Sequence, residues 1–144
     1  MAKNVRVLIV EDHDMARMGL SVILSNNPNI KIAWMCADGQ EGVDKALELT
    51  PDVVVMDIGL PTIDGIEATK RIKAAKPDIK VLMYTSREGD DDIFDSFQAG
   101  ADGYITKGAT SEQTVSAVIA VSEGAGWLDP ATVSYTHLTL PTKL

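Results

Sequence analysis

Apolar and polar positions follow two alternating rhythms along the chain. Val5 to Val10 (VRVLIV) is an almost unbroken apolar run, the pattern of a strand buried on both faces. Met15, Met18, Val22 and Ile23 then recur at helical spacing, with Asp14 as the expected N-cap. Ile30, Ile32 and Trp34 alternate with Lys31, Ala33 and Met35, a period of two that predicts a strand at a sheet edge. Asp38-Gly-Gln-Glu41 reads as a capping signal, and Val43, Ala46 and Leu47 form a helical stripe behind it. Val53 to Met56 predicts a third strand. Ile66 to Ala75 predicts a helix with a basic outer face (Lys70, Arg71, Lys73), ended by Pro77. Ile79 to Tyr84 reads as a fourth strand, Asp92 to Ala99 as a short helix stopped by Gly100, and Gly103 to Ile105 as a fifth strand. Thr110 to Gln113 fits a capping box, and Val115, Val118 and Ile119 are expected to face inward from the last helix.

Strands alternating with helices predict a parallel sheet covered on both faces. Right-handed crossovers leave few topologies for it. In such sheets ligands bind beyond the carboxyl ends of the strands. Glu11-Asp12, Asp57, Thr85-Ser86 and Thr106-Lys107 fall at those ends. Asp57 raises the sharpest question, because a carboxylate is costly to desolvate without a partner and here it ends an apolar strand. Each residue alone has an ordinary reading. Asp12 would cap a helix, Asp57 would belong to the turn chemistry of a Pro-containing loop, Thr85 would merely end a strand, and Lys107 would be solvated. Together they say more. Clustered carboxylates repel unless a cation binds or a proton is shared. Carboxylates, carbonyls and water suit Mg²⁺, and a nearby lysine suits a phosphoryl oxygen.

The bulk properties narrow the choices. At 144 residues the chain has the size of one domain. Its net charge of −8, without a basic stripe, makes it a poor DNA binder by itself. A single cysteine, Cys36, excludes an internal disulfide and fits a reducing compartment. There is no signal-peptide pattern and no apolar stretch of membrane-spanning length, so a cytoplasmic location is expected.

The ordered set Glu11-Asp12, Asp57-x-x-Leu60-Pro61-x-x-Asp64-Gly65, Thr85, Gly100-Ala101-Asp102-Gly103-Tyr104 and Lys107 resembles the receiver domain of bacterial two-component response regulators. The resemblance covers residues 4 to about 130. It implies a flavodoxin-like (βα)5 doubly wound parallel sheet with strand order 2-1-3-4-5, formed by residues 1–130. It further implies that Asp57 is the phosphoacceptor for a sensor histidine kinase. Asp12, Asp57 and the Gly59 carbonyl would hold Mg²⁺, with Glu11 acting through water. Lys107 would pair with Asp57 and then with the phosphoryl group. Thr85 would read the site, and Tyr104 would turn from exposed to buried in response. Such a domain accepts and slowly loses its own phosphoryl group rather than turning over external substrates, and a homodimer on phosphorylation is a further expectation. The sequence departs from the common pattern at Ser86, where Ala is usual, and at Gly108, where Pro is usual. Gly59 and Arg87 occupy positions that in the family tune phosphoryl lifetime.

Other functions fit less well. A pseudo-receiver that only binds partners should lack an acid, the threonine or the lysine, and none is missing. A phosphatase with an Asp nucleophile would carry a second Asp two residues later, where Gly59 stands. A flavodoxin-type carrier would want a hydroxyl- and Gly-rich phosphate loop, whereas Glu11-Asp12-His13-Asp14 would repel a phosphate lacking a metal. Residues 126–131 (GWLDPA) resemble the close of a receiver whose parent carries a LuxR-type helix-turn-helix output domain. Residues 131–144 do not continue it. VSYTHLTLPT resembles the translation of a transposon-end sequencing adapter, so this tail is expected to be non-native. DNA contact would then reside in a C-terminal domain of the parent, outside these 144 residues.

Overall fold

A computed structural model of the chain describes residues 4–128. The elements alternate: β1 (Val5–Val10), α1 (Asp14–Ser25), β2 (Ile30–Cys36), α2 (Gly39–Leu49), β3 (Val53–Met56), α3 (Gly65–Ala75), β4 (Lys80–Thr85), α4 (Asp90–Gln98), β5 (Gly103–Thr106), α5 (Ser111–Ser122) and β6 (Trp127–Leu128). All strand pairs are parallel, in the order β2-β1-β3-β4-β5-β6. The expected order 2-1-3-4-5 is present. The two-residue β6, too short for any periodic signal, adds an edge beside β5. The tail at 131–144 lies outside the described residues.

The unbroken apolar run of β3 has a direct cause in the layering. Val54 and Met56 enter a core with Val43 and Ala46 of α2, Ile72 of α3 and Ile93 of α4. Val53 and Val55 enter a second core with Leu20 and Leu24 of α1 and Val118 and Val121 of α5. Each such side chain contributes about 1.5–3 kcal/mol on burial. Strand β3 is therefore central, and its carboxyl end is held rigidly between β1 and β4.

Two patterns resolve differently from their sequence reading. Helix α1 buries Leu20 and Leu24, while Met15 is 88% exposed and Met18 and Val22 are also exposed. The helix is apolar on two sides, and spacing alone picks the outer stripe, of which only Ile23 packs against the core. Strand β2 is an edge strand as expected, but its pairing with β1 skips one residue: Val7 pairs with Ile32 and Leu8 with Trp34. A bulge flips every later side chain to the other face. Trp34 thus leaves the face of Ile30 and Ile32 and lies under the Lys45 ammonium of α2, 4.4 Å from its ring centre.

Local signals set the helix starts. Asp38, Asp64 and Thr110 each accept a backbone N–H three residues on, and Gln113 completes the capping box with Thr110. Asp14 is not the N-cap of α1. His13 holds that position, and Asp14 lies in the first turn, ion-paired with Arg17 at 2.6 Å. Helix α4 starts at Asp90, two residues before the sequence reading, because acids in a first turn favour the helix N-terminus.

Candidate functional site

The site follows from where the strands stop. Val10 and Met56 end β1 and β3 side by side, so Glu11 and Asp57 emerge next to each other. The Asp57 N–H donates to the Val10 carbonyl at 3.0 Å, fixing the two chain ends. Behind Asp57 the chain turns back tightly. Gly65 donates its N–H to the Ile58 carbonyl at 2.7 Å, and a Cβ on Gly65 would stand 1.8 Å from the Asp57 carbonyl oxygen. Only glycine permits that approach.

Lys107 reaches the same place from the end of β5. Its backbone N–H donates to the Thr85 carbonyl at 2.9 Å. Its ammonium lies 2.6 Å from Glu11 Oε1 and 3.1 Å from Asp57 Oδ2. Glu11 is only 1% exposed and Asp57 is also buried, so one cation answers two desolvated carboxylates. Burial alone would lower the Lys107 pKa. The hydrogen bond to Glu11 and the charge of Asp57 outweigh it and hold the value above the ordinary lysine range. The other Asp57 oxygen, Oδ1, accepts the Ile58 N–H at 2.8 Å.

Asp12 adjoins this group. Its Oδ1 is buried and accepts no hydrogen bond. Glu11, Asp12, His13 and Asp57 each bring one donor atom within 4.8 Å of the others. Hard carboxylate oxygens, one of them lacking a hydrogen-bond donor, fit an oxygen-seeking divalent cation. His13 does not stand out in the sequence. The signal available there is a residue of poor capping ability directly before a helix.

Thr85 is buried beside the site, its Oγ1 accepting the Arg87 N–H at 3.3 Å. Tyr104 is fully buried, with its hydroxyl donating to the Arg87 carbonyl at 2.8 Å and its ring tilted against Phe97. The expected exposed starting position of Tyr104 is therefore not the one the structure describes. The phenol already has a buried acceptor and a ring neighbour. Burial, with Asp92 nearby, pushes its pKa well up. Gly59 lies in the loop after Asp57, where a Cβ would come within 3.3 Å of an Arg87 guanidinium nitrogen.

A doubly wound parallel sheet thus gathers acids, a threonine and a lysine at its carboxyl edge, the arrangement of a receiver-type signalling module. The chain belongs to the response regulator receiver domain family, whose model matches residues 7–119. It is similar to the transcriptional regulatory protein LiaR of Bacillus subtilis, at 41% identity over 83% of this chain and 57% of that protein. It is also similar to the response regulator protein VraR of Staphylococcus aureus, at 40% identity over 88% of this chain and 61% of that protein. The chain thus spans about three fifths of the length of these relatives. Among solved structures, a LuxR-family two-component response regulator from Aurantimonas matches with a TM-score of 0.88 and 32% identity, over 92% of this chain and 94% of that one. No helix among the described residues is long and apolar enough to cross a membrane.

Proposed function

We propose that this chain receives a phosphoryl group on Asp57 from a phosphohistidine of a sensor kinase and passes the event on as a change of surface. The observation that carries the reading is the Lys107 ammonium, 2.6 Å from Glu11 and 3.1 Å from Asp57 at the carboxyl end of β3. An Asp57 oxygen attacks phosphorus, the P–N bond to the imidazole breaks, and the histidine nitrogen keeps the bonding pair. In-line phosphoryl transfer asks mainly for positioning and charge neutralisation. Asp57 is positioned by its Val10 and Ile58 hydrogen bonds. Lys107 moves from the carboxylate to a phosphoryl oxygen, a charge-assisted contact.

Asp12, Asp57 and the Gly59 carbonyl would hold Mg²⁺, with Glu11 acting through a water. When bound, that ion supplies positive charge against the negative charge gathered at the site. The Thr85 hydroxyl turns from the Arg87 N–H towards the phosphoryl group. That shift acts on the segment whose Arg87 carbonyl holds Tyr104, a local charge event biasing a nearby element. In the parent protein the change would reach a DNA-binding output domain, in the cytoplasm, and would favour a dimer.

The test is incubation of the purified chain with acetyl phosphate and Mg²⁺, followed by intact-mass measurement. One acid-stable, base-labile phosphoryl group is expected, and chelation of the metal abolishes it. Folded protein that stays unmodified with several donors would make the chain a pseudo-receiver instead.

A further inference from the structure

His13 is badly placed for any ordinary structural duty. It occupies the N-cap of α1 with an extended backbone, yet its side chain makes no cap hydrogen bond. It is not packed either, since the side chain is 73% exposed. Instead the ring turns back over the acids. Nδ1 lies 3.2 Å from Glu11 Oε2 and 3.4 Å from Asp12 Oδ1, the buried oxygen that accepts no hydrogen bond. The His13 backbone N–H donates to the same Glu11 Oε2 at 3.0 Å, which fixes the turn that aims the ring. The neighbouring Arg17 is committed elsewhere, to the Glu11 carbonyl and to Asp14.

The donor atoms of Glu11, Asp12, His13 and Asp57 all lie within 4.8 Å of one another. Two ligands on opposite sides of one ion, with bonds of about 2.1 Å each, stand about 4.2 Å apart. One ion therefore suits Asp12, Asp57 and His13 directly with small side-chain adjustments, and Glu11 through a water. Oxygen-only sets suit Mg²⁺, whereas imidazole nitrogen suits Ni²⁺, Cu²⁺ and Zn²⁺.

We propose that His13 Nδ1 is a nitrogen donor to the cation site of Asp12 and Asp57, and that it sets the site's preference among divalent metals. This rests on the reading of those acids as a cation site. His13 turns an oxygen site into a mixed nitrogen–oxygen site, and it widens the margin by which Ni²⁺ outcompetes Mg²⁺. Binding of such an ion adds a bond that Mg²⁺ gains little from.

The test uses the full, tag-free chain in chelator-free buffer. Calorimetric titration gives the ratio of Ni²⁺ to Mg²⁺ affinity for the wild type, His13→Ala and His13→Asn, with circular dichroism as the folding check. Asn is a good N-cap, so it guards against loss of helix α1. The ratio is expected to fall at least tenfold in both variants. Electron spin-echo measurements on the Mn²⁺-loaded chain provide a direct readout. They should show coupling to a ¹⁴N nucleus that disappears in His13→Ala and persists in His137→Ala, the substitution of the second of the two histidines. An unchanged ratio without ¹⁴N coupling would overturn the proposal and leave His13 as an ion-pair partner of Glu11. In that case Mg²⁺ binding lost in Asp12→Ala still upholds the cation site. Absence of any metal binding to the wild type would remove both readings.

Discussion

Asp52 immediately precedes β3 and Asp57 immediately follows it, so one strand of four residues carries the same side chain at each end. Their surroundings differ in kind. Asp52 is woven into backbone: its Oδ2 accepts the Arg6 N–H at 2.8 Å, its N–H donates to the Arg6 carbonyl, and its carbonyl accepts the Lys80 N–H. That residue ties the amino ends of β1 and β4 to β3. A cleft of about 500 Å³ opens there, between Pro51, Asp52, Lys76, Pro77 and Lys80. Its two acids, Asp52 and Asp78, are matched by two lysines, Lys76 and Lys80, and no group of acids able to share an ion gathers there among the described residues. Asp57 is also fixed through its backbone, but its Oδ2 is answered by a lysine side chain. A peptide N–H cannot follow a new ligand, whereas an ammonium can exchange one oxygen for another. On the proposed reading, the structural role of Asp52 and the chemical role of Asp57 are separated by who answers the carboxylate, not by residue type.

Substitution at each end breaks this contrast open. Asp57→Asn should abolish phosphoryl incorporation entirely while the chain stays folded, and Asp52→Asn should leave incorporation in place; intact mass after acetyl phosphate treatment reads both. Next in size is Lys107→Ala, which leaves buried Glu11 and Asp57 without their cation. Removing one partner of a buried pair costs on the order of 3 kcal/mol, measured as a lower urea midpoint. Adding Glu11→Gln should recover part of that loss.

The third effect is a pH dependence. The Lys107 pKa is raised in the folded chain above the 10.5 of the free side chain. A raised folded pKa contributes stability that is complete below the unfolded value and fades as pH rises through the folded one. The stability gap between wild type and Lys107→Ala should therefore hold from neutral pH to 10.5 and shrink above it. Urea titrations across that range would show it, and a constant gap would mean that packing, not charge, sets Lys107's worth. The smallest effect belongs to Asp52→Asn, about 1 kcal/mol for weakening one hydrogen bond to a backbone N–H.

Strand β3 and the position of Asp57 at its carboxyl end are legible in the sequence, because a short β-branched run reads as a strand buried on both faces. The run alone leaves a turn role for Asp57 open, and only the other strand ends weigh against it. The caps at Asp38, Asp64 and Thr110 are legible for a similarly local reason. What escapes depends on tertiary choice. Helix α1 offers two apolar stripes, and only the sheet decides that Leu20 and Leu24 go inside. The β2 bulge depends on a residue skipped opposite Val7 and Leu8, which no period in β2 alone encodes. In the site, the motif pairs Lys107 with Asp57, yet the nearer partner is Glu11. The motif also implies an outward start for Tyr104, but its inward position depends on a carbonyl at Arg87, seventeen positions away in the chain. His13 reads only as part of an acidic stretch, since the direction of its ring is set by the turn between β1 and α1.

The most direct measurement locates the phosphoryl group rather than counting it. Borohydride reduces an aspartyl phosphate to homoserine, which survives digestion and mass spectrometry. After treatment with phosphodonor and Mg²⁺, homoserine is expected at position 57 alone. Homoserine at Asp12, at Asp52 or at any other acid, with Asp57 intact, would contradict the assignment of Asp57 as the acceptor.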